Sequence, residues 1–597
     1  MKPSLHAKHR LHLWIRRVLI WRAQHLPMQH FIFVLSILTG LVSGLVAVVL
    51  KNSTHAIQAW IRSERFEDYY QLYYFAFPLV GILLTVALVR VFKLRAGEGI
   101  PSAIEAISRQ GGIIPRSRMY TSFLTSAVTV GFGGSVGLEG PAVGTGSAIG
   151  SNLARWLRLG FKQRILLISC ATAGAISSIF GAPVAAIIFT LELFSIDLTL
   201  SSLVPLLLAS ATGALTGLMT SDGSKLFYAE GIEAFDPVNL PYYLLLGVAC
   251  ALVSLYFKRV FALSGRLVMR WDNPWAKALT GGVLLGALIF VMPPLYGEGF
   301  GTIQAALKGD DWSILSQNWL GIEAGNLLMG IGLLVGLLLL KVTAASLTVH
   351  AGGVGGMFAP TLFMGSILGL IFVRSLEFAG VDGLPVVHFV LIAMAGLMAG
   401  TMHAPLTAIF MISEIGGGYP LILPLMMTAA LSFFLTRSWD PNSIYTEYLS
   451  QRGRLWTQSK DKAVLTLIDM EDALERDLET LEPDSPLLEC QAALARCQRN
   501  LVAILEDGLM VGYITWEDIW RAQREEHSEE ITAKDAMKSA PARVQYNDPM
   551  ESVLTQMEKS AMWYLPVYQE GVWIGLASKT KLFEAYRKQI QDLSHEG

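Results

Sequence analysis

The segment Val130 to Pro141, Val-Gly-Phe-Gly-Gly-Ser-Val-Gly-Leu-Glu-Gly-Pro, sets one carboxylate, Glu139, at the end of a glycine-rich approach through apolar sequence. An ionisable side chain at membrane depth is costly and is a functional candidate by default. The glycines let backbone amides face a ligand, and Gly140-Pro141 opens a helix with proline suited to its first turn. The unpaired amides and dipole of such a helix start favour an anion near Glu139. Further on, Gly355-Gly356-Met357-Phe358-Ala359-Pro360 repeats the helix start without the acid. Two helix N-termini facing one point hold an anion with partial charges alone, weakly enough for it to leave again.

The elements that must position these residues come in two copies. Gly97-Glu98-Gly99-Ile100 recurs as Gly297-Glu298-Gly299-Phe300. The frame Gly133-Gly134, Gly137, Pro141, Gly146-Ser147 and Gly150 recurs as Gly352-Gly353, Gly356, Pro360, Gly365-Ser366 and Gly369. A third pair runs from Ala182-Pro183 to Glu192 and from Ala404-Pro405 to Glu414. Ordered matches at roughly two-hundred-residue offsets point to a duplicated transporter or channel, with its site between the halves where glycine-interrupted helices end. Of the 597 residues, 53% are hydrophobic and only 16% charged, which makes the chain a polytopic membrane protein. Stretches 31–50, 73–93, 241–256, 275–292, 321–340, 385–401 and 419–436 are apolar enough to span. Segments 99–108, 140–157, 182–194 and 357–376 start at Gly or Pro and are expected to be partial or tilted helices, tolerated where protein or a water-filled cavity satisfies their ends.

Residues 1–30 carry Lys2, Lys8, Arg10, Arg16, Arg17 and Arg22 among Leu, Trp and Ile, without a small-residue cleavage site, and predict a cytoplasmic amphipathic helix at the interface. Cys170, Cys250, Cys490 and Cys497 form no metal-ligand pattern with histidines, so neither a disulfide framework nor a zinc site is expected. Near-neutral net charge gives no sign of a nucleic-acid partner. Gly144, Gly146 and Gly150 lack the βαβ setting of a dinucleotide fingerprint. After about residue 450 the composition turns charged. The stretch 457–482 has a helical pattern, 453–482 is expected to be a linker, and 483–597 a soluble α/β domain. Two units there share one rhythm: a helix (487–497, then 549–559), a strand (500–505, then 563–568) and a second strand entering a helix (509–522, then 571–587).

Gly97-x-Gly99-Ile100-Pro101, Gly137-x-Glu139-Gly140-Pro141, Gly356-x-Phe358-x-Pro360 and the tyrosine of Ser443-Ile444-Tyr445 closely resemble, in order and spacing, the four signature segments of the CLC family of chloride channels and proton/chloride exchangers. The resemblance implies an all-α polytopic fold of about eighteen helices over 31–452, in inverted halves of about 31–220 and 240–452. It further implies a homodimer with one pore per subunit in the cell membrane (plasma or inner), and cytoplasmic termini. Glu139 would be the gating glutamate, whose carboxylate occupies an anion position and swings away when protonated. Gly97, Glu98, Gly99 and Ile100 would flank chloride, with the amides of Met357 and Phe358 and the hydroxyl of Tyr445 as donors. The tail resembles a tandem pair of CBS modules. There, Gly512-Tyr-Ile-Thr515-x-x-Asp518 has the form that holds a nucleotide ribose, while Gly575-Leu-Ala-Ser578-x-x-Lys581 lacks the acid. An adenine nucleotide is the one added ligand this suggests, and the other reading is a structural module. No cofactor is required.

Three departures bear on mechanism. Glu98 stands where the family usually has serine, Leu138 where Arg or Lys is common, and Leu193 where exchangers often carry an inner-side glutamate. Loss of the inner acid favours a passive channel unless Glu98 takes the proton, since burial and a nearby anion favour its neutral form. The expectation is proton-coupled chloride exchange by an unusual proton path, with a channel as the alternative. Glu98 and Glu298 could instead simply accept hydrogen bonds at a helix N-terminus, and the same capping or loop-facing role is expected of Glu192 and Glu414. A membrane-anchored nucleotide sensor is the rival from another class, disfavoured because an anchor needs neither Glu139 nor Tyr445. No Ser/His pair, His-Glu-x-x-His or phosphate loop in the spans suggests an enzyme.

Overall fold

The computed structural model describes residues 27–61, 70–92, 99–109, 111–195, 199–220, 227, 232, 235–316, 327–447, 465, 468–497, 500–525, 531–539 and 542–595. The basic N-terminal segment, Gly97 and Glu98 lie outside them. The chain divides into two compact units, Met1–Leu455 and Trp456–Gly597.

The first half of the membrane unit runs α1 (Met28–Ile61), α2 (Tyr70–Val91), α3 (Ile100–Arg109), α4 (Arg118–Gly131), α5 (Glu139–Trp156), α6 (Phe161–Phe180), α7 (Pro183–Phe194) and α8 (Leu200–Thr220). The second runs α9 (Leu240–Met269), α10 (Pro274–Val291), α11 (Phe300–Leu307), α12 (Asp311–Leu315), α13 (Leu327–His350), α14 (Phe358–Phe378), α15 (Val386–Met402), α16 (Pro405–Gly416) and α17 (Ile422–Trp439). Packing repeats with the sequence: α1, α6 and α8 form one triple, and α9, α15 and α17 form its counterpart. Within a bilayer there is no hydrophobic drive for helices to associate, so close backbone approach must supply the contact. In the first triple a Cβ on Gly174 would lie 2.7 Å from the Cα of Gly40, and one on Gly213 would lie 2.3 Å from the carbonyl of Gly174.

Eight helices among the described residues are long and apolar enough to cross a membrane. Phe358–Phe378 is one of them, although the sequence suggested a partial helix. Phe161–Phe180 and Leu200–Thr220, which were not expected as spans, are two more. In the former, Ser, Thr, Cys and Gly dilute the hydropathy because they face protein and not lipid.

The halves meet in the middle. Gly137 and Gly356 form an antiparallel bridge, with Gly137 N donating to Gly356 O (2.9 Å) and Gly356 N to Gly137 O (2.8 Å). On either side the halves exchange identical hydrogen bonds: Ser135 N donates to Thr348 Oγ1 (3.1 Å) and Val354 N to Thr129 Oγ1 (3.0 Å). This pseudo-two-fold junction starts α5 and α14 from the same point.

The soluble unit contains α18 (Met470–Ala473), β1 (Leu474–Glu475), β2 (Thr480–Leu481), α19 (Leu487–Arg496), β3 (Val502–Glu506), β4 (Leu509–Ile514), α20 (Trp516–Glu525), α21 (Ala533–Ala536), β5 (Lys538–Ser539), β6 (Val544–Gln545), α22 (Met550–Lys559), β7 (Tyr564–Gln569), β8 (Val572–Ser578) and α23 (Lys579–His595). Its sheets have the orders β2-β3-β4-β5 and β1-β8-β7-β6. Each has a parallel strand, a hairpin and an antiparallel fourth strand. Both hairpins turn through a positive-φ pair, Asp507-Gly508 and Glu570-Gly571, as tight two-residue turns require. The expected linker is thereby corrected: within 453–482, β1 closes the second unit's sheet and β2 the first's. Of the helical pattern of 457–482, the described residues show Leu465 in helical conformation and the single turn α18 before these strands. Two-residue strands are too short to leave an alternating signature.

Candidate anion site at the junction of the halves

Helix α5 begins at Glu139, but the side chain of Glu139 crosses to the other half. Its Oε1 accepts the N–H of Phe358 at 2.6 Å and of Ala359 at 3.2 Å, the first turn of α14. The residue is 2% exposed. A carboxylate therefore sits where the unpaired amides of α14 would receive an anion. Gly137 and Gly356 make the room: a Cβ on Gly137 would meet Glu139 Oε2 at 2.1 Å, and one on Gly356 would meet Oε1 at 2.4 Å. Phe180 and Phe358, with ring centroids 4.7 Å apart, wall the site with apolar surface.

The other expected residues among those described gather around this point, Gly97 and Glu98 lying outside them. Gly99 (φ +57°) brings the start of α3 against α5, where a Cβ would lie 2.7 Å from the carbonyl of Gly140, and Ile100 follows, buried. Met357 precedes α14 and is buried. Tyr445 is buried after α17, and its hydroxyl donates to Met402 Sδ (3.7 Å). Its segment is pinned by Ile444 N to Thr401 O (3.2 Å) and by Lys258 of α9, whose ammonium donates to Asn442 O and pairs with Asp440 (3.0 Å). Lys258 carried no signal in the sequence, because a lone lysine in an apolar run normally snorkels to an interface.

Glu192 and Glu414 have the capping role expected of them, and each caps the other half. Glu192 accepts from Leu406 N (3.0 Å), Thr407 N (2.8 Å) and the Thr407 hydroxyl at the start of α16. Glu414 accepts from Val184 N (3.1 Å) and Ala185 N (2.8 Å) at the start of α7. Leu193, beside Glu192, is half-buried and has no proton to give. Glu298 is buried just before α11, next to Gly297, whose N–H donates to Gly133 O (3.1 Å) of the opposite half.

In the soluble unit, Asp518 is committed to its own neighbours. Its Oδ2 accepts from Thr515 Oγ1 (2.6 Å) and Thr515 N (3.1 Å), while Oδ1 pairs with Lys538 (2.8 Å) and Arg521 (3.3 Å). In the second unit Lys581 follows Ser578 instead and donates to Leu474 O (2.8 Å) on β1. Burial pushes the Asp518 carboxyl up, but Lys538 and the Thr515 donors outweigh it and hold it below the usual aspartate range. A depressed carboxyl contributes stability that is fully present above the unfolded value, about 3.9, and lost as pH falls through the lower folded value. Asp518→Asn is expected to cost about 1–2 kcal/mol, at the low end for a buried pair because Lys538 and Arg521 stay partly solvated. Amide exchange over 509–525 in the full chain at neutral pH checks this: unchanged protection would remove Asp518 from the stability of this corner.

Residues 81–437 match the family of voltage-gated chloride channels. The H(+)/Cl(-) exchange transporter ClcA of Yersinia pestis is 26% identical over 74% of this chain and 91% of its own length. ClcA of Vibrio cholerae is 26% identical over 70% of this chain and 88% of its own. Among solved structures, a slow cyanobacterial Cl-/H+ antiporter aligns with a TM-score of 0.61 at 21% identity over 70% of this chain and 97% of that one. A eukaryotic CLC transporter aligns at 0.59 and 15% identity, over 93% of this chain and 99% of that one.

Proposed function

We propose that this chain, which belongs to the CLC family, moves chloride across a cell membrane and exchanges it for protons. One observation carries the reading: the Glu139 carboxylate lies on the α14 amides as an anion surrogate. Ionised, it competes with chloride for those donors. Protonated, it loses the charge that holds it there and yields the position. Chloride would then rest on the Met357 and Phe358 amides, with Tyr445 able to turn its hydroxyl from Met402 to the anion. The relatives named as H(+)/Cl(-) exchange transporters favour coupling over passive flow. With no acid at Leu193, Glu98 serves as the proton acceptor.

The passive-channel reading is supported by the apolar Leu193 and by a relative named as a putative chloride channel protein, 27% identical over 62% of this chain. The protein would work as a homodimer with one pore per subunit in the plasma or inner membrane, both termini cytoplasmic. Helix α1 then starts on the cytoplasmic side and carries Lys51, some 23 residues and about 35 Å along, to the outer half. The soluble unit would act as a CBS pair binding an adenine nucleotide at Thr515 and Asp518. A ribose there must displace bonds that Asp518 already makes, so a weak, regulatory site fits better than a resident ligand.

Liposomes under opposed chloride and proton gradients test the reading. Wild-type protein should drive protons uphill on a chloride gradient, and Glu98→Ser should still move chloride but lose at least about ten-fold in proton transport, since serine donates to an anion but carries no proton through a charged state. Uncoupled wild-type flux, with Glu98→Ser only raising the chloride rate, would establish a channel in which Glu98 is an electrostatic brake.

A further inference from the structure

The turn between α10 and α11 brings a second acid to the gate. Glu298 is 8% exposed and lies in a turn that is bonded to the segment leading into Glu139. The frame around it is rigid: Gly297 N donates to Gly133 O (3.1 Å), and Ser135 Oγ to Leu295 O (2.7 Å). Lys341, fully buried on α13, locks both turns by donating to Ser135 Oγ (2.8 Å), Gly297 O (3.0 Å) and Leu295 O (3.4 Å), with its ammonium over the Phe363 ring at 4.6 Å. The charged groups that act on Glu298 are Glu139 from α5, Lys341 from α13 and the half-buried Lys51 from α1. Within the buried frame, Glu298 thus interacts with both the Lys341 ammonium and the Glu139 carboxylate. Like charges at such a site are not both kept ionised cheaply, and one retained proton balances the set.

Building on the exchange reading above, we propose that Glu298 is a second proton-holding carboxylate at the outer end of the pathway, passing its proton to Glu139. In that step the O–H bond of the Glu298 acid breaks and one forms on Glu139. Glu298 is left as a carboxylate opposite Lys341, and the neutral Glu139 leaves the amides of Phe358 and Ala359. Lys341 is the positive charge that stabilises the carboxylate left by transfer.

The test uses the full-length protein in liposomes, with chloride flux and chloride-driven proton uptake recorded against outer pH. Glu298→Gln should retain chloride flux, lose at least about ten-fold in proton uptake and show a pH profile with one transition fewer. Glu298→Asp, which keeps an acid on a shorter arm, should recover coupling with a displaced profile. A Glu298→Gln protein with wild-type coupling and profile overturns the proposal. Should the Gln variant fail to fold, as judged by size-exclusion chromatography, the Asp variant decides alone, and an undisplaced profile there overturns it. Wild-type flux without proton movement would defeat the exchange reading itself and this relay with it, whereas coupled wild-type flux with an indifferent Glu298 defeats only the relay.

Discussion

Glu139→Gln is expected to leave chloride flux that no longer changes with pH and to abolish proton transport. The amide keeps the size of the carboxylate but cannot alternate between charged and neutral forms. In the wild type the charged oxygen holds two α14 amides, and hydrogen bonds to an ionised group contribute about 1.5–3 kcal/mol. Losing that competitor should strengthen chloride occupancy by roughly 10- to 150-fold at a pH where the wild-type carboxylate is ionised. Acidification should raise wild-type flux toward the level of the variant, because protonation and amidation remove the same charge. Isotopic chloride efflux across a pH series measures both. A Gln protein with the wild-type pH dependence would place the gate elsewhere.

Much of this site was legible because glycine and proline mark backbone geometry directly. The duplicated Gly133 and Gly352 both take positive φ, as do Gly99 and Gly299. Glu139 stood out as an acid in apolar sequence, and the equivalent positions of Glu192 and Glu414 signalled a shared role. Their reciprocity, each capping a helix of the other half, is a property of the two-fold junction and has no local trace. Lys341 and Lys258 were illegible for a related reason: their partners are mostly backbone carbonyls and turn residues distant in sequence, and no residue type announces a carbonyl. The same limit hid β1 and β2, whose pairing is decided by strands far along the chain.

Gly137→Ala separates the position of the Glu139 carboxylate from its charge. The nearest atoms to a new Cβ at residue 137 are Oε2 at 2.1 Å and Cδ and Oε1 at 2.7 Å, all of Glu139. Because these are the far end of a flexible side chain, and Gly137 is not among the positive-φ glycines, the substitution should be absorbed by expelling the carboxylate, with the Gly137–Gly356 bridge intact. At Gly356 a Cβ would also meet the backbone N of Gly140 at 2.7 Å, so the matching change there should damage the junction itself. Gly137→Ala should thus fold normally and conduct chloride at neutral pH near the Glu139→Gln rate. Adding Glu139→Gln to it should then change the rate by less than about two-fold, since the second mutation removes an interaction the first has already broken. Additive effects of the two substitutions would mean that the carboxylate closes the path from some position other than the α14 amides.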